Sequence, residues 1–153
     1  MKKLLLIGIL FITSNLFSQS ENQIDSLSYA HMKIAVPENC VAKSEYELLD
    51  CEDISVQWLY LNKEMLEVVP TQFFNQFEQQ QNVVDKEKMT IESYSSELTG
   101  YKFKTRNSGK TRYAIIVSGT VNKQPLLLNI GSEKNVKKTS DLSEFLRTII
   151  EIK

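Results

Sequence analysis

The residues best suited to catalytic chemistry in this sequence are one histidine and two cysteines. His31 is the single histidine, so it is the first candidate for a general base near neutral pH. No serine or cysteine motif stands near it, and a lone histidine on a strand is more often solvated or hydrogen-bonded than catalytic. We therefore predict no catalytic residue and no enzymatic activity.

Cys40 and Cys51 have ten residues between them. In an oxidising compartment such a pair most simply forms a disulfide, and loop-closure entropy makes it worth about 2.5–3 kcal/mol. Two buried free thiols and a metal pair are the alternatives. A metal pair is disfavoured by the single histidine and the absence of CxxC, and redox-active dithiols space their cysteines more closely. We predict a structural disulfide.

Acidic residues cluster between Cys40 and Ile54. They are Glu45, Glu47, Asp50, Glu52 and Asp53. Their oxygens could bind Ca²⁺, but the regular ligand spacing of an EF-hand is absent. We interpret the cluster as a solvated acidic loop and predict no metal site.

Motifs for the common cofactor-dependent and hydrolytic reactions are missing from the sequence. The five glycines do not cluster into a nucleotide-binding loop, and GxSxG does not occur. HExxH would need two histidines, and the chain has one. We predict no cofactor.

Basic residues alternate along one predicted strand and recur on the next. Lys102, Lys104 and Arg106 share one face, and Lys110 and Arg112 follow after a turn. We interpret these five residues, the basic stripe, as a possible surface for an acidic partner. A solvated outer face of the sheet is the alternative.

The elements that would position these residues centre on a three-stranded meander from Gly100 to Ser132. The segment Tyr101 to Arg106 alternates with period two, and Asn107-Ser108-Gly109 suits a tight turn. A strand from Thr111 to Val121 is apolar on both faces in its middle, which indicates a central position. After a second short turn, Leu126 to Ile130 completes the meander. Strands joined by turns this short must be antiparallel neighbours.

The remaining chain supplies further strands and two helices. Strands are predicted at 27–36, 54–61 and 89–98. The pattern of 41–49 fits a strand or a helix, and the turn residues on both sides of it favour a strand. A helix is predicted over 70–81 with Pro70 in its first turn, and a second follows a cap at Thr139 or Ser140. The second has apolar residues at helical spacing, namely Leu142, Phe145, Leu146, Ile149 and Ile150. The fold class predicted is α+β, with an antiparallel sheet of about six strands and two amphipathic helices packed against it.

The first 19 residues have the pattern of a secretory signal peptide. Lys2 and Lys3 precede an apolar stretch too short to span a bilayer, and cleavage is expected after Ser18 or Gln19. An uncleaved anchor is the alternative. Residues 20–153 then form a single α+β domain without a transmembrane segment, located in the periplasm or secreted. Without the two lysines, 16 basic residues face 19 acidic ones, a net charge of −3 that argues against a nucleic-acid partner.

The order of these elements carries one family resemblance. KIAVPENC, ISVQWLYL and PTQFFNQFEQQQ precede the meander, and DLSEFLRTIIEI follows it. This order, over residues 30–152, resembles the PsbP-like fold of small secreted domains. The resemblance implies a binding or assembly role without catalysis.

Three functions fit these observations. The first is a secreted or periplasmic binding or accessory domain whose partner is a protein of the envelope or secreted fraction. The second is an immunity or inhibitor protein that neutralises a toxin or hydrolase in the same compartment. An enzyme of unfamiliar type is the third, and it would require His31 to lie in a pocket with a carboxylate.

Overall fold

A computed structural model describes residues 24–153, which are mostly β-structure. This part of the chain has ten strands, one helix of 16 residues and one of four residues. The strands are β1 (Ser26–Tyr29), β2 (Met32–Ala35), β3 (Cys40–Ser44), β4 (Glu47–Cys51), β5 (Ile54–Tyr60), β6 (Val83–Ser93), β7 (Ser96–Asn107), β8 (Lys110–Val121), β9 (Gln124–Ser132) and β10 (Glu151–Ile152). The helices are α1 (Lys63–Glu78) and α2 (Glu144–Arg147), and a 3-10 turn covers Thr139–Asp141. The predicted signal peptide, residues 1–19, lies outside the described residues.

Eight strands form one antiparallel sheet in the order β10-β6-β7-β8-β9-β5-β4-β3, and β1 and β2 form a separate hairpin. The predicted meander is confirmed, because β7, β8 and β9 are consecutive antiparallel neighbours near the centre of this sheet. Pro125 lies close to the start of β9, opposite Thr120. The long strands of the meander provide the frame on which the other elements pack.

The predicted α+β fold class, with about six strands and two helices, is wrong. The sheet has eight strands, a second hairpin packs beside it, and α1 is the only helix longer than one turn within residues 24–153. Three predicted strands, 27–36, 41–49 and 89–98, each contain a reversal. The turn residues in the first and last are Ala30-His31 and Tyr94-Ser95, all with φ between 47° and 68°. Two successive positive φ values form the tight turn that suits twisted hairpins, here without glycine to mark it.

The predicted C-terminal helix is also wrong. After a 3-10 turn the chain forms only α2, whose N-cap Ser143 accepts a hydrogen bond from the backbone N–H of Leu146 at 3.2 Å. It then extends as β10, which pairs Ile152 with Ile91 at the edge of the sheet. The apolar residues that suggested a helix are buried, but against several surrounding elements rather than along one stripe. Burial of these side chains therefore does not require the chain to continue as a helix in this segment.

Helix α1 begins earlier than the predicted range of 70–81. Asn62 caps it, because its side-chain oxygen accepts a hydrogen bond from the N–H of Met65 at 2.7 Å. Pro70 is therefore inside the helix and buried, not in the first turn. Since proline has no N–H, the carbonyl of Leu66 loses its usual helical partner. The aromatic side chains that follow hold the helix on the sheet despite this loss.

The two faces of the sheet are covered by different elements. We call the side under α1 the helix face, where Phe73, Phe74 and Phe77 pack against a cluster of buried sheet residues: Leu61, Phe103, Ile116 and Leu127. We call the other side the hairpin face. There the β1–β2 hairpin and the segment 136–150 cover the larger apolar cluster, which includes Trp58, Ile115 and Leu128. The described domain thus has three layers.

Hydrogen bonds from aromatic residues fix the β1–β2 hairpin on the hairpin face. The carbonyl of Ser28 accepts from Trp58 Nε1 at 2.9 Å and from the Tyr60 hydroxyl at 2.7 Å. The Tyr29 hydroxyl lies 2.9 Å from Ser93 Oγ, which donates to the carbonyl of Ile149, also at 2.9 Å. Since serine has one hydrogen to donate, Tyr29 is the donor in the first of these bonds. Burial raises the pKa of Tyr29 to about 12.

Tyr29 should make the protein less stable at alkaline pH. Between about pH 10 and 12 the unfolded tyrosine ionises while the buried one keeps its proton, so raising the pH favours unfolding. The stability is complete below pH 10 and is lost as the pH approaches 12, by roughly 3 kcal/mol. We expect urea unfolding to show this loss in wild-type protein and a smaller loss in Tyr29→Phe. Equal losses in the two proteins would contradict the assignment.

Two glycines of β7 and its turn should differ in their cost of substitution. At Gly109, φ is 79° and a Cβ would meet no atom within 4 Å, so Gly109→Ala should cost about 1 kcal/mol in backbone strain alone. At Gly100 a Cβ would overlap the backbone carbonyl of Ile116, so Gly100→Ala should cost about 3 kcal/mol or more. Denaturant midpoints measure both. A Gly100→Ala variant as stable as Gly109→Ala would show that the strands can move apart.

Candidate functional site

Cys40 and Cys51 form a disulfide, as predicted. The two residues lie directly opposite each other on β3 and β4, with their Cα atoms 4.4 Å apart. Cys51 is buried in the apolar cluster of the hairpin face, and Cys40 packs beside it. The bond therefore fastens the edge strand β3 to its neighbour and holds one end of the sheet in a single shape.

The structure places the five residues of the basic stripe on two different faces of the sheet. Strand register places Arg112 opposite Thr105 and Lys110 opposite Asn107, and directly opposed residues share a face. Thr105 lies two residues from Phe103, so this pair of basic residues belongs to the helix face. The other three stripe residues alternate with Phe103 and belong to the hairpin face; they are Lys102, Lys104 and Arg106.

Acidic residues of β6 also neutralise part of the stripe. Glu87 lies opposite Lys102, and Asp85 lies opposite Lys104. Lys102 is only 6 % exposed, forms an ion pair with Glu87 and donates a hydrogen bond from Nζ to the carbonyl of Val136 at 3.0 Å. A residue buried in this way cannot contact a partner, so the inclusion of Lys102 in an exposed surface is wrong. Its ammonium group instead positions the loop that follows β9.

His31 lies in the turn between β1 and β2, where it is exposed and has φ of 68°. It is not among the residues that line the groove described below. Within residues 24–153 no three histidine, cysteine, aspartate or glutamate side chains are grouped so that they could hold a metal ion. Three members of the acidic cluster, Glu47, Asp50 and Asp53, line the groove described below, whereas Glu52 does not. Glu52 accepts a hydrogen bond from the backbone N–H of Glu144 at 3.1 Å.

A groove of about 620 Å³ opens on the helix face, beside the area that α1 covers. Its floor comes from β5, β8 and β9, and β4 and the β4–β5 turn contribute one side. The floor residues are small, which gives the groove depth; they are Ser55, Ala114 and Gly131. At Gly131 a Cβ atom would come within 2.6 Å of Ser55 Oγ, so a larger residue there would force the Ser55 side chain to move.

The rim of the groove carries charged residues, and its floor contains an unpaired polar atom. Four carboxylates and one guanidinium group line it, from Glu47, Asp50, Asp53, Glu133 and Arg112. Arg112 Nη2 lies 3.3 Å from a carboxylate oxygen of Glu133. On the floor, the side-chain oxygen of Asn129 is buried and has no hydrogen-bond donor among the described residues. The groove therefore combines acidic groups with an acceptor that lacks a donor.

The sequence-based analysis did not find this groove, although one signal for it exists. In ISVQWLYL, Ser55 and Gln57 lie on one face of the strand, and in PLLLNIGS, Asn129 and Gly131 do the same. Register pairs these residues across β5 and β9, Gln57 with Asn129 and Ser55 with Gly131. Polar and small residues on one face of two otherwise apolar strands indicate a part of the sheet that no helix covers.

Lys102 should stabilise the loop at 133–138. In Lys102→Met the carbonyl of Val136 loses its donor, so we expect a loss of about 1–3 kcal/mol in the free energy of unfolding and faster hydrogen exchange in this loop. Lys104→Met removes the same charge from the neighbouring position on that face. It should change stability by no more than about 0.5 kcal/mol. Similar losses in the two variants would show that Lys102 acts through its charge alone.

Comparison with known proteins adds no assignment to this site. None of the helices within residues 24–153 is both long and apolar enough to cross a bilayer. No protein-family model matches the chain, and no curated protein sequence matches it significantly.

Proposed function

We propose that this protein is a non-enzymatic binding domain and that the groove on the helix face is its binding site. The observation that carries the proposal is the groove itself. Its volume of about 620 Å³ is within the range of ligand sites, and a polar atom on its floor lacks a partner. Unsatisfied buried polar atoms are uncommon in folded proteins, and rotation of the Asn129 amide would be needed for a ligand in the groove to satisfy this one.

Binding without catalysis is supported by where the candidate catalytic groups lie. His31, the single histidine, is on an exposed turn and not in the groove, so the groove lacks the side chain that most often acts as a general acid or base. Rigidity of the groove supports binding as well. Its floor consists of paired central strands, and the disulfide fixes the edge beside it, which lowers the ordering cost of a complex.

We further propose that the domain acts in the periplasm or outside the cell. The disulfide supports this location, since such bonds persist in oxidising compartments. A signal peptide at residues 1–19 would direct the chain there. The partner is then a protein of the envelope or of the secreted fraction, and the role resembles that of PsbP-like modules. An immunity or inhibitor role would use the same groove against a toxin or hydrolase.

Capture of the partner from the native host tests the binding site. A tagged chain should recover a stoichiometric protein from envelope or secreted fractions, identified by mass. Ser55→Trp places a large side chain across the groove floor, and we expect it to lose the partner. Thr99→Trp adds the same side chain at an exposed position of β7 outside the groove, and it should retain the partner.

The three proteins separate the possible results. If all of them recover the partner equally, the groove is not the binding site. A captured toxin or hydrolase that the wild-type chain inhibits would favour the inhibitor role. A component of envelope assembly or secretion would favour the accessory role.

A further inference from the structure

We propose that the groove binds a cationic nitrogen group that carries several hydrogen-bond donors, for which the guanidinium group of an arginine side chain is the best match. The proposal rests on the proposed function, because it names the ligand chemistry of the same groove. Three features of the groove support it: the balance of charge on the rim, the weakness of the existing ion pairs, and the unpaired acceptor on the floor.

The charge on the rim favours a cation. Four lining residues are acidic and Arg112 is the one basic residue among the lining residues, so the groove has a net charge of −3 from its own side chains. A concave surface with low-dielectric walls concentrates the field of such charges. Arg112 pairs with Glu133, and Lys43 and Lys134 pair with two more of the carboxylates, which reduces the net charge at the rim to −1. The remaining excess is acidic, so the groove favours a cation over an anion.

The ion pairs that partly neutralise the rim are weak. Lys43 Nζ lies 3.6 Å from Glu47, and Lys134 Nζ lies 3.3 Å from Asp53. Both lysine side chains are more than 60 % exposed, so each pair contributes little in water and either lysine can move away. A ligand cation can replace them with a small loss. Asp50 has no ion pair within the described chain.

Glu47 is the carboxylate best placed to bind the cation. Its side chain is 25 % exposed, much less than the 69 % of Asp53 on the same rim. Register places Glu47 opposite Gln57, which is itself opposite Asn129, so the carboxylate stands on the same face as the floor. An ion pair formed in this less solvated position is stronger than one on the open surface.

The floor supplies the acceptor that a guanidinium group can satisfy together with Glu47. The side-chain oxygen of Asn129 is buried and lacks a donor, so a ligand reaches it only if the amide rotates. A guanidinium group has five N–H donors in a planar fork, so it can bind a carboxylate with two of them and donate to a second acceptor. An ammonium group also has donors but lacks this fixed geometry.

The experiment uses fluorescence anisotropy with the labelled peptide Gly-Gly-Arg-Gly-Gly and the same peptide with citrulline, a neutral isostere of arginine. We expect the arginine peptide to bind the wild-type chain at least about tenfold more tightly than the citrulline peptide. Glu47→Gln should weaken the arginine peptide about tenfold, and raising the salt concentration should weaken it further. Glu67→Gln is the matched control, because it removes an exposed carboxylate of α1 outside the groove.

Each outcome decides the proposal. Equal affinity for the two peptides, no binding at millimolar concentration, or binding that Glu47→Gln and Ser55→Trp leave unchanged would overturn it. If an acidic peptide binds instead and Ser55→Trp abolishes that binding, the groove remains a binding site and only the cationic ligand is wrong. Competition by free argininamide at equal strength would identify a small-molecule ligand. Competition by the peptide alone would identify a segment of a protein partner.

Discussion

The hydrogen-bond chain from Tyr29 through Ser93 to the carbonyl of Ile149 determines how the hairpin face is closed. It joins the β1–β2 hairpin, the sheet strand β6 and the C-terminal segment within a few ångströms. Neither the β1–β2 hairpin nor the C-terminal segment could cover this face of the sheet alone, because each is short and lacks a helix of useful length. A buried hydroxyl pair is costly unless it is satisfied, so all three parts must be in place together. The closure of this face is therefore cooperative, and the opposite face can stay open without exposing the main core.

The open groove follows from the width of the sheet. Strands in a sheet are about 4.8 Å apart, so eight strands are about 34 Å wide, whereas a helix with its side chains is about 10–12 Å across. One helix therefore cannot cover all of the strands. Because α1 begins directly after β5 and packs over β6 to β9, the strands β5, β4 and β3 have no helix above them. Small and polar residues occupy the floor there, and the disulfide supports the same end of the sheet from its hairpin face.

Sequence patterns predicted the parts of this structure in which local and tertiary preferences agree. The meander was predictable because Asn107 to Gly109 marks a turn between two alternating strands. The disulfide was predictable from two cysteines and from the predicted signal peptide, which implies an oxidising compartment. The pattern failed where tertiary contacts override it. Ala30 and Tyr94 adopt positive φ in turns that contain no glycine, so the sequence does not mark these turns. Ile149 and Ile150 are buried in the core without being part of a helix, so their helical spacing did not predict the secondary structure. The groove was missed because its signal, pairs of residues across β5 and β9, depends on a register that no single strand contains.

The alternation of charge along β6 has a consequence for contacts between copies of the chain. Strand β10 pairs with β6 only at Ile91 and Glu92, so the outer edge from Val83 to Met89 has no strand beside it in the described residues. Asp85 and Glu87 point to one face and Lys86 and Lys88 to the other. If two identical edges paired about a two-fold axis, each odd-numbered residue would lie opposite an odd-numbered one and each even-numbered residue opposite an even-numbered one. Acidic residues would then oppose acidic residues, and lysines would oppose lysines. Repulsion between these like charges therefore disfavours symmetric pairing of two β6 edges. This matters in a protein that leaves part of one sheet face uncovered.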